Sequence, residues 1–153
     1  MNQVDDATAR LCRTIVEASS DAIIFADREG VIRLWNRGAE LVFGYSPAGA
    51  VGQSLDIIIP ERLRRAHWDA FDLSLETGRT RHTDRVLTTR AVHKSGDKLY
   101  VDLSFGIAKD ASGVVLGAFA VGRDCTARYL AERALKTRMQ ELEASLDAAS
   151  RTT

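Results

Sequence analysis

From Leu99 to Ile107, apolar residues alternate with polar or small ones. Leu99, Val101, Leu103, Phe105 and Ile107 fall on one side of an extended chain, and Tyr100, Asp102, Ser104 and Gly106 on the other. Successive side chains of a strand point to opposite faces, so the pattern predicts a strand with one face on a core. A sheet solvated on its other face is antiparallel and needs a layer packed on the apolar side. Its partners lie next to it in the chain. Residues 81–92 are rich in β-formers (Val86, Leu87, Thr88, Thr89, Val92) and reach it through the turn Lys94-Ser95-Gly96-Asp97. Ala111-Ser112-Gly113 then turns the chain into a strand over 114–121. Together the three predict a meander.

Two more strands stand far upstream. Ala22-Ile23-Ile24-Phe25-Ala26 and Val31-Ile32-Arg33-Leu34-Trp35 flank Asp27-Arg28-Glu29-Gly30, a hairpin with a four-residue loop. Before them, Ala7, Leu11, Ile15 and Ala18 form one stripe of a short helix over 6–18, which Ser19-Ser20-Asp21 ends. Residues 36–59 carry short helical pieces broken by Gly44, Ser46-Pro47 and Gly52. A longer helix starts at Pro60-Glu61, runs to about Thr77 and stops at Gly78. The predicted class is α+β: a five-stranded antiparallel sheet flanked by short helices, with terminal helices at both ends. The expected division is a helical cap over 1–19, a central domain over 20–125 and a helical extension over 126–153.

That extension is rich in Ala, Glu, Arg, Lys and Leu. Leu135, Met139, Leu142 and Leu146 recur at spacings of four and three, a coiled-coil seam of barely two heptads. The expected partner is a second copy of the chain; the alternative is an amphipathic helix lying on its own domain. Lys+Arg and Asp+Glu are 21 each in 153 residues, which argues against a broad nucleic-acid or anionic-membrane footprint. No apolar run nears a membrane span and no secretory leader precedes the domain, so a cytoplasmic location is expected. Cys12 and Cys125 are too few for a disulfide scaffold and read as small apolar residues. His93, before a turn, is expected to be exposed. No nucleophile–base pair, phosphate-cradling loop or metal triad supports an enzyme.

The segments Asp21-Ala22-Ile23-Ile24, Gly30-Val31-Ile32-Arg33-Leu34-Trp35-Asn36, Ala39-Glu40-Leu41-Val42-Phe43-Gly44-Tyr45-Ser46, Val51-Gly52-Gln53, Ile59-Pro60, Lys94-Ser95-Gly96 and Arg123-Asp124-Cys125-Thr126 resemble a PAS domain over roughly residues 10–127. The family's members hold haem, flavin, other small molecules or nothing, so the resemblance implies fold more strongly than function. In the family, the pair at Arg123 and Asp124 anchors the exit of the C-terminal helix. Ile59-Pro60-Glu61-Arg62-Leu63-Arg64-Arg65-Ala66-His67 resembles the haem-binding PAS domains of FixL-type kinases and of the direct-oxygen-sensor phosphodiesterase. That resemblance implies haem b with His67 as proximal iron ligand, and a diatomic gas (O2, CO or NO) as signal. It places Leu103 and Phe105 on the distal side of the ring. It also implies a sensor that relays its state through the C-terminal helix to a downstream effector domain or kinase. The light-sensing flavin version needs an Asn-Cys-Arg motif on the short helices, and residues 36–59 hold no cysteine.

On a helix, Leu63, Ala70, Phe71 and Ser74 lie within about 60° of His67, while Arg62, Arg65, Asp69, Asp72 and Glu76 lie opposite. The imidazole therefore points into the domain. It is either a ligand or a core histidine bonded to backbone. The chain departs from the haem-binding pattern on the facing strand. The oxygen-stabilising arginine of those relatives aligns with Leu87, and their distal methionine with Arg85. Two apart in a strand, Arg85 and Leu87 share a face, so Arg85 is a candidate distal donor; the alternatives are pairing with a haem propionate, or with Asp84 or Asp102 on the surface. Arg81 and His82 are candidate partners of the haem propionates. The alternative function is a haem-free PAS module that dimerises or binds another small ligand.

Overall fold

The structure, a computed structural model, describes residues 3–81 and 84–152. Helix α1 (Gln3–Ala18) leads into strands β1 (Ala22–Asp27) and β2 (Ile32–Trp35), then short helices α2 (Arg37–Phe43) and α3 (Pro47–Ala50). Single turns of 3-10 helix at Leu55–Ile58 and Glu61–Leu63 precede α4 (Arg64–Thr77). Strands β3 (Leu87–Val92), β4 (Lys98–Lys109) and β5 (Val115–Asp124) and helix α5 (Thr126–Arg151) complete the chain. The five strands form one antiparallel sheet in the order β2-β1-β5-β4-β3, so the upstream hairpin joins the meander along β5.

The alternation on β4 sets the layers. Val101 and Leu103 are buried on the inner face, where the core gathers Ile24, Ile32, Trp35, Phe43 and Leu99. Asn36 holds the helical layer to the sheet. Its side chain accepts from Ala39 N (2.9 Å) as the cap of α2 and from Ile23 N (2.8 Å) on β1. Its amide donates to Val16 O (2.8 Å) and Asp21 O (3.0 Å), tying down the end of α1.

Several expectations need correction. Arg81 and residues 84–86 are not strand: Asp84 takes a left-handed φ of 64°, and pairing begins only at Leu87, opposite Leu103. Arg85 therefore shares no strand face with Leu87. His93 is half-buried, because its turn folds back over α2 and Lys94 N donates to Phe43 O at 2.9 Å. Gly44, with φ of 83°, makes room for that ring: a Cβ there would lie 2.5 Å from His93 Cε1. Tyr100, on the polar side of the β4 alternation, is buried because Tyr129 of α5 stacks on it. The α1 stripe covers nothing: Leu11 and Ile15 are each 59% exposed. Beyond Tyr129, α5 lies away from the sheet, and Leu135, Met139, Leu142 and Leu146 are all exposed. No helix among the described residues is long and apolar enough to cross a membrane.

Candidate functional site

Between α4 and the inner face of the sheet lies a cavity of about 450 Å³, a size that suits a small-molecule or cofactor ligand. Ala66, His67 and Phe71 line it from α4, Leu63 from the 3-10 turn that leads into α4, and Leu55, Ile58 and Ile59 from the segment before. Val101, Leu103 and Phe105 line it from β4, with Ile24, Ala26, Ala118 and Ala120 from β1 and β5. Strand β3 contributes Thr89, Arg90 and Ala91, and α2 contributes Phe43. The wall is nearly all hydrocarbon; His67, Thr89 and Arg90 are its polar residues. The guanidinium of Arg90 stands over the Tyr100 ring, 5.7 Å from its centroid.

His67 is the chemical anomaly of this cavity. Its Nδ1 is buried and has no hydrogen-bond partner, a cost of about 1–3 kcal/mol for a polar atom cut off from water. The ring packs edge-on to Trp68 (4.8 Å between centroids) and tilted against Phe71 (5.9 Å). Trp68 is itself fixed by its indole N–H, which donates to Asp56 Oδ1 at 2.8 Å. Ala70, read onto the His67 face, is exposed, whereas Phe71 and Leu75 carry the buried side of α4.

Burial pushes the His67 imidazole below its ordinary value of 6.5, against the opposing pull of Asp56 and Asp72. The ring is thus neutral in the fold near pH 7. As pH falls through about 6.5, the unfolded chain takes up this proton before the native one, so acidification destabilises the native state. Asp27, Asp102 and Asp110 are held below 3.8 and act only in more acid solution. Between pH 7 and pH 5 the urea midpoint of the wild-type chain should fall more than that of His67→Gln. Parallel slopes in the two proteins would show that the ring is not buried neutral.

Of the residues expected at the site, Leu63, His67, Phe71, Leu103 and Phe105 come together around the cavity. Leu87 lies on the inner side of β3, opposite Leu103, half-buried and not among the lining residues. Arg81 and Arg85 are exposed and do not line the cavity, and His82 lies outside the described residues. Thr89, Phe43 and the Leu55–Ile59 wall were not anticipated. For Thr89 a signal existed, since it shares the inner parity of β3 with Leu87. Residues 36–59 offer no periodicity from which their inward side chains can be read. Cys125 is buried, and burial pushes its thiol up, in keeping with an inert side chain.

The model of the family described as the PAS fold matches residues 16–130. The chain belongs to the PAS family. This PAS domain is 30% identical over 142 residues to the sensor protein FixL of Bradyrhizobium diazoefficiens, covering 91% of the chain and 26% of that protein. It is 29% identical over 125 residues to an uncharacterised protein of Azorhizobium caulinodans, covering 81% of the chain and 17% of that protein. The chain therefore spans only about a quarter or less of the curated relatives it matches. Among solved structures it is similar to the PAS domain of a Colwellia psychrerythraea protein, with TM-score 0.68 at 22% identity, covering 78% of this chain and 98% of that one. It is also similar to an RNA-binding light-oxygen-voltage receptor, with TM-score 0.68 at 17% identity, covering 94% of this chain and 39% of that one. At these identities the likeness bears on the fold, and the fold is the one expected: a five-stranded antiparallel sheet with flanking helices. The PAS domain is a sensory module.

Proposed function

We propose that this PAS domain is a haem-binding sensor of a diatomic gas, with His67 as the axial ligand. The observation that carries the reading is the orphaned, neutral imidazole of His67 in an otherwise apolar cavity. Among the described residues, no group of three or more His, Cys, Asp or Glu could hold a metal ion. An iron centre here would therefore take one protein ligand and the four nitrogens of a porphyrin. Leu63 just before α4 and Phe71 on it, with Leu103 and Phe105 from β4, would cover the faces of the ring and exclude water. Arg81 and His82, between α4 and β3, remain the candidate partners of its carboxylates. The bound iron would supply the gas-binding site. Arg85 is exposed, Leu87 is apolar and the Arg90 guanidinium is engaged over the Tyr100 ring, so in this reading the ligand side lacks a charge-assisted donor. That chemistry favours carbon monoxide or nitric oxide over dioxygen. Purified protein supplied with haem should show a Soret band at one haem per chain. A spectrum of free haem alone would refute the reading and leave a haem-free interaction module.

The output we propose is a parallel homodimer through α5, feeding an effector domain or kinase and working without catalysis in the domain itself. Its support is the exposed Leu135, Met139, Leu142 and Leu146 stripe on a helix that does not lie on its own domain. Leu135→Glu with Leu142→Glu should shift the protein from dimer to monomer in sedimentation. If the doubly substituted chain sediments as the wild type does, another surface joins the copies.

A further inference from the structure

The outer face of β3 and β4 carries two cross-strand pairs that both continue onto α5. Arg90 lies directly opposite Tyr100, and Thr88 directly opposite Asp102. The Arg90 guanidinium sits over the Tyr100 ring, whose other contact is Tyr129 of α5, stacked at 3.9 Å between centroids and 19° from parallel. The Thr88 hydroxyl donates to Asp102 Oδ1 at 2.5 Å, and Oδ2 of the same carboxylate accepts from Arg128 of α5. Arg128 in turn reaches Glu132, one turn along the helix, at 3.1 Å. The residue between the two β3 positions, Thr89, faces the other way and lines the cavity, as does its cross-strand partner Val101. Thr88 and Arg90 thus put their side chains on the helix attachment and Thr89 puts its own on the cavity, which Arg90 also borders. Past Leu130 every residue of α5 is exposed, so these contacts and the Thr126 bonds to Tyr100 and Asp124 fix the direction in which the helix leaves.

We propose that Arg90–Tyr100–Tyr129 and Thr88–Asp102–Arg128 act together as the coupling device of this sensor: displacement of β3 by what fills the cavity is passed through two outer-face side chains of β4 to the first turn of α5. The inference specifies how the proposed sensor is read out, but it needs no particular ligand, so its test is separable from the haem reading. Ala91 is buried and lines the cavity. Ala91→Leu adds volume there and leaves the outer face untouched. Amide exchange of residues 127–132 is the readout, in the chain without added haem. Ala91→Leu should change those rates by about two- to fivefold, the range set by one cation–π contact. In a Thr88→Val, Arg90→Ala background the same substitution should leave them unchanged. Ala66→Leu, which enters the cavity from α4, repeats the test should Ala91→Leu fold poorly. No change in α5 on filling the cavity, or the same change in both backgrounds, overturns the proposal.

Discussion

His67→Ala is expected to abolish haem retention, with an affinity loss on the order of a hundredfold or more, because the change removes the proposed axial bond. The apolar walls from Leu63, Phe71, Leu103 and Phe105 remain, so some haem will still partition into the cavity, without the wild-type spectrum. Folding is not the confounder it is for most core substitutions. The wild-type ring carries an unpaired buried nitrogen, and deleting it removes a desolvation cost while opening a small void beside an existing cavity. Apoprotein stability should therefore change by less than about 1 kcal/mol. Free imidazole added to the variant should restore the spectrum by occupying the vacated place. Unchanged haem content and an unchanged Soret band in His67→Ala would remove His67 from the site.

The largest effect on stability belongs to Asn36→Ala. One fully buried amide serves two backbone N–H donors and two carbonyls, on β1, α2 and the end of α1. Removing it leaves the Ile23 and Ala39 N–H groups without their acceptor and uncaps α2, a cost of about 2–4 kcal/mol. For a chain of this size that corresponds to a fall in melting temperature of about 10 °C. Asn36→Asp keeps the acceptor but loses the amide donors and buries a charge, so it should not rescue. A fall of only a degree or two in Asn36→Ala would mean that water takes over these bonds.

What could be read from the chain alone is what local geometry encodes. The period of two in 99–107 identified the inner face of β4, and helical spacing grouped His67 and Phe71 of α4 with Leu63 of the turn before it. Gly78, with φ of 69°, ends that helix as expected. The failures come from features that no window contains. β-propensity extends through 81–86, but it does not register the left-handed turn at Asp84 that frees Arg85 from the sheet. Tyr100 and Tyr129 are far apart in the chain, and their stacking follows only from where β5 delivers α5. His93 is half-buried because its hairpin turn closes on Gly44. The cavity itself is a difference between neighbouring volumes. The small side chains Ala26, Ala91, Ala118 and Ala120 leave the space that larger ones would fill, and no periodicity marks a residue as too small.

The bare portion of α5 has a mechanical meaning. From Leu130 to Arg151 it is an uninterrupted helix whose every residue is exposed. At 1.5 Å per residue its length is about 33 Å. Pivoting it at Tyr129 by about 10° carries its tip through about 6 Å, roughly one helical pitch. A small change of angle at the sheet would thus become a sideways displacement of several ångströms at the far end. In the proposed sensor the domain would be the short side of a lever, with the exposed length of α5 as its long side.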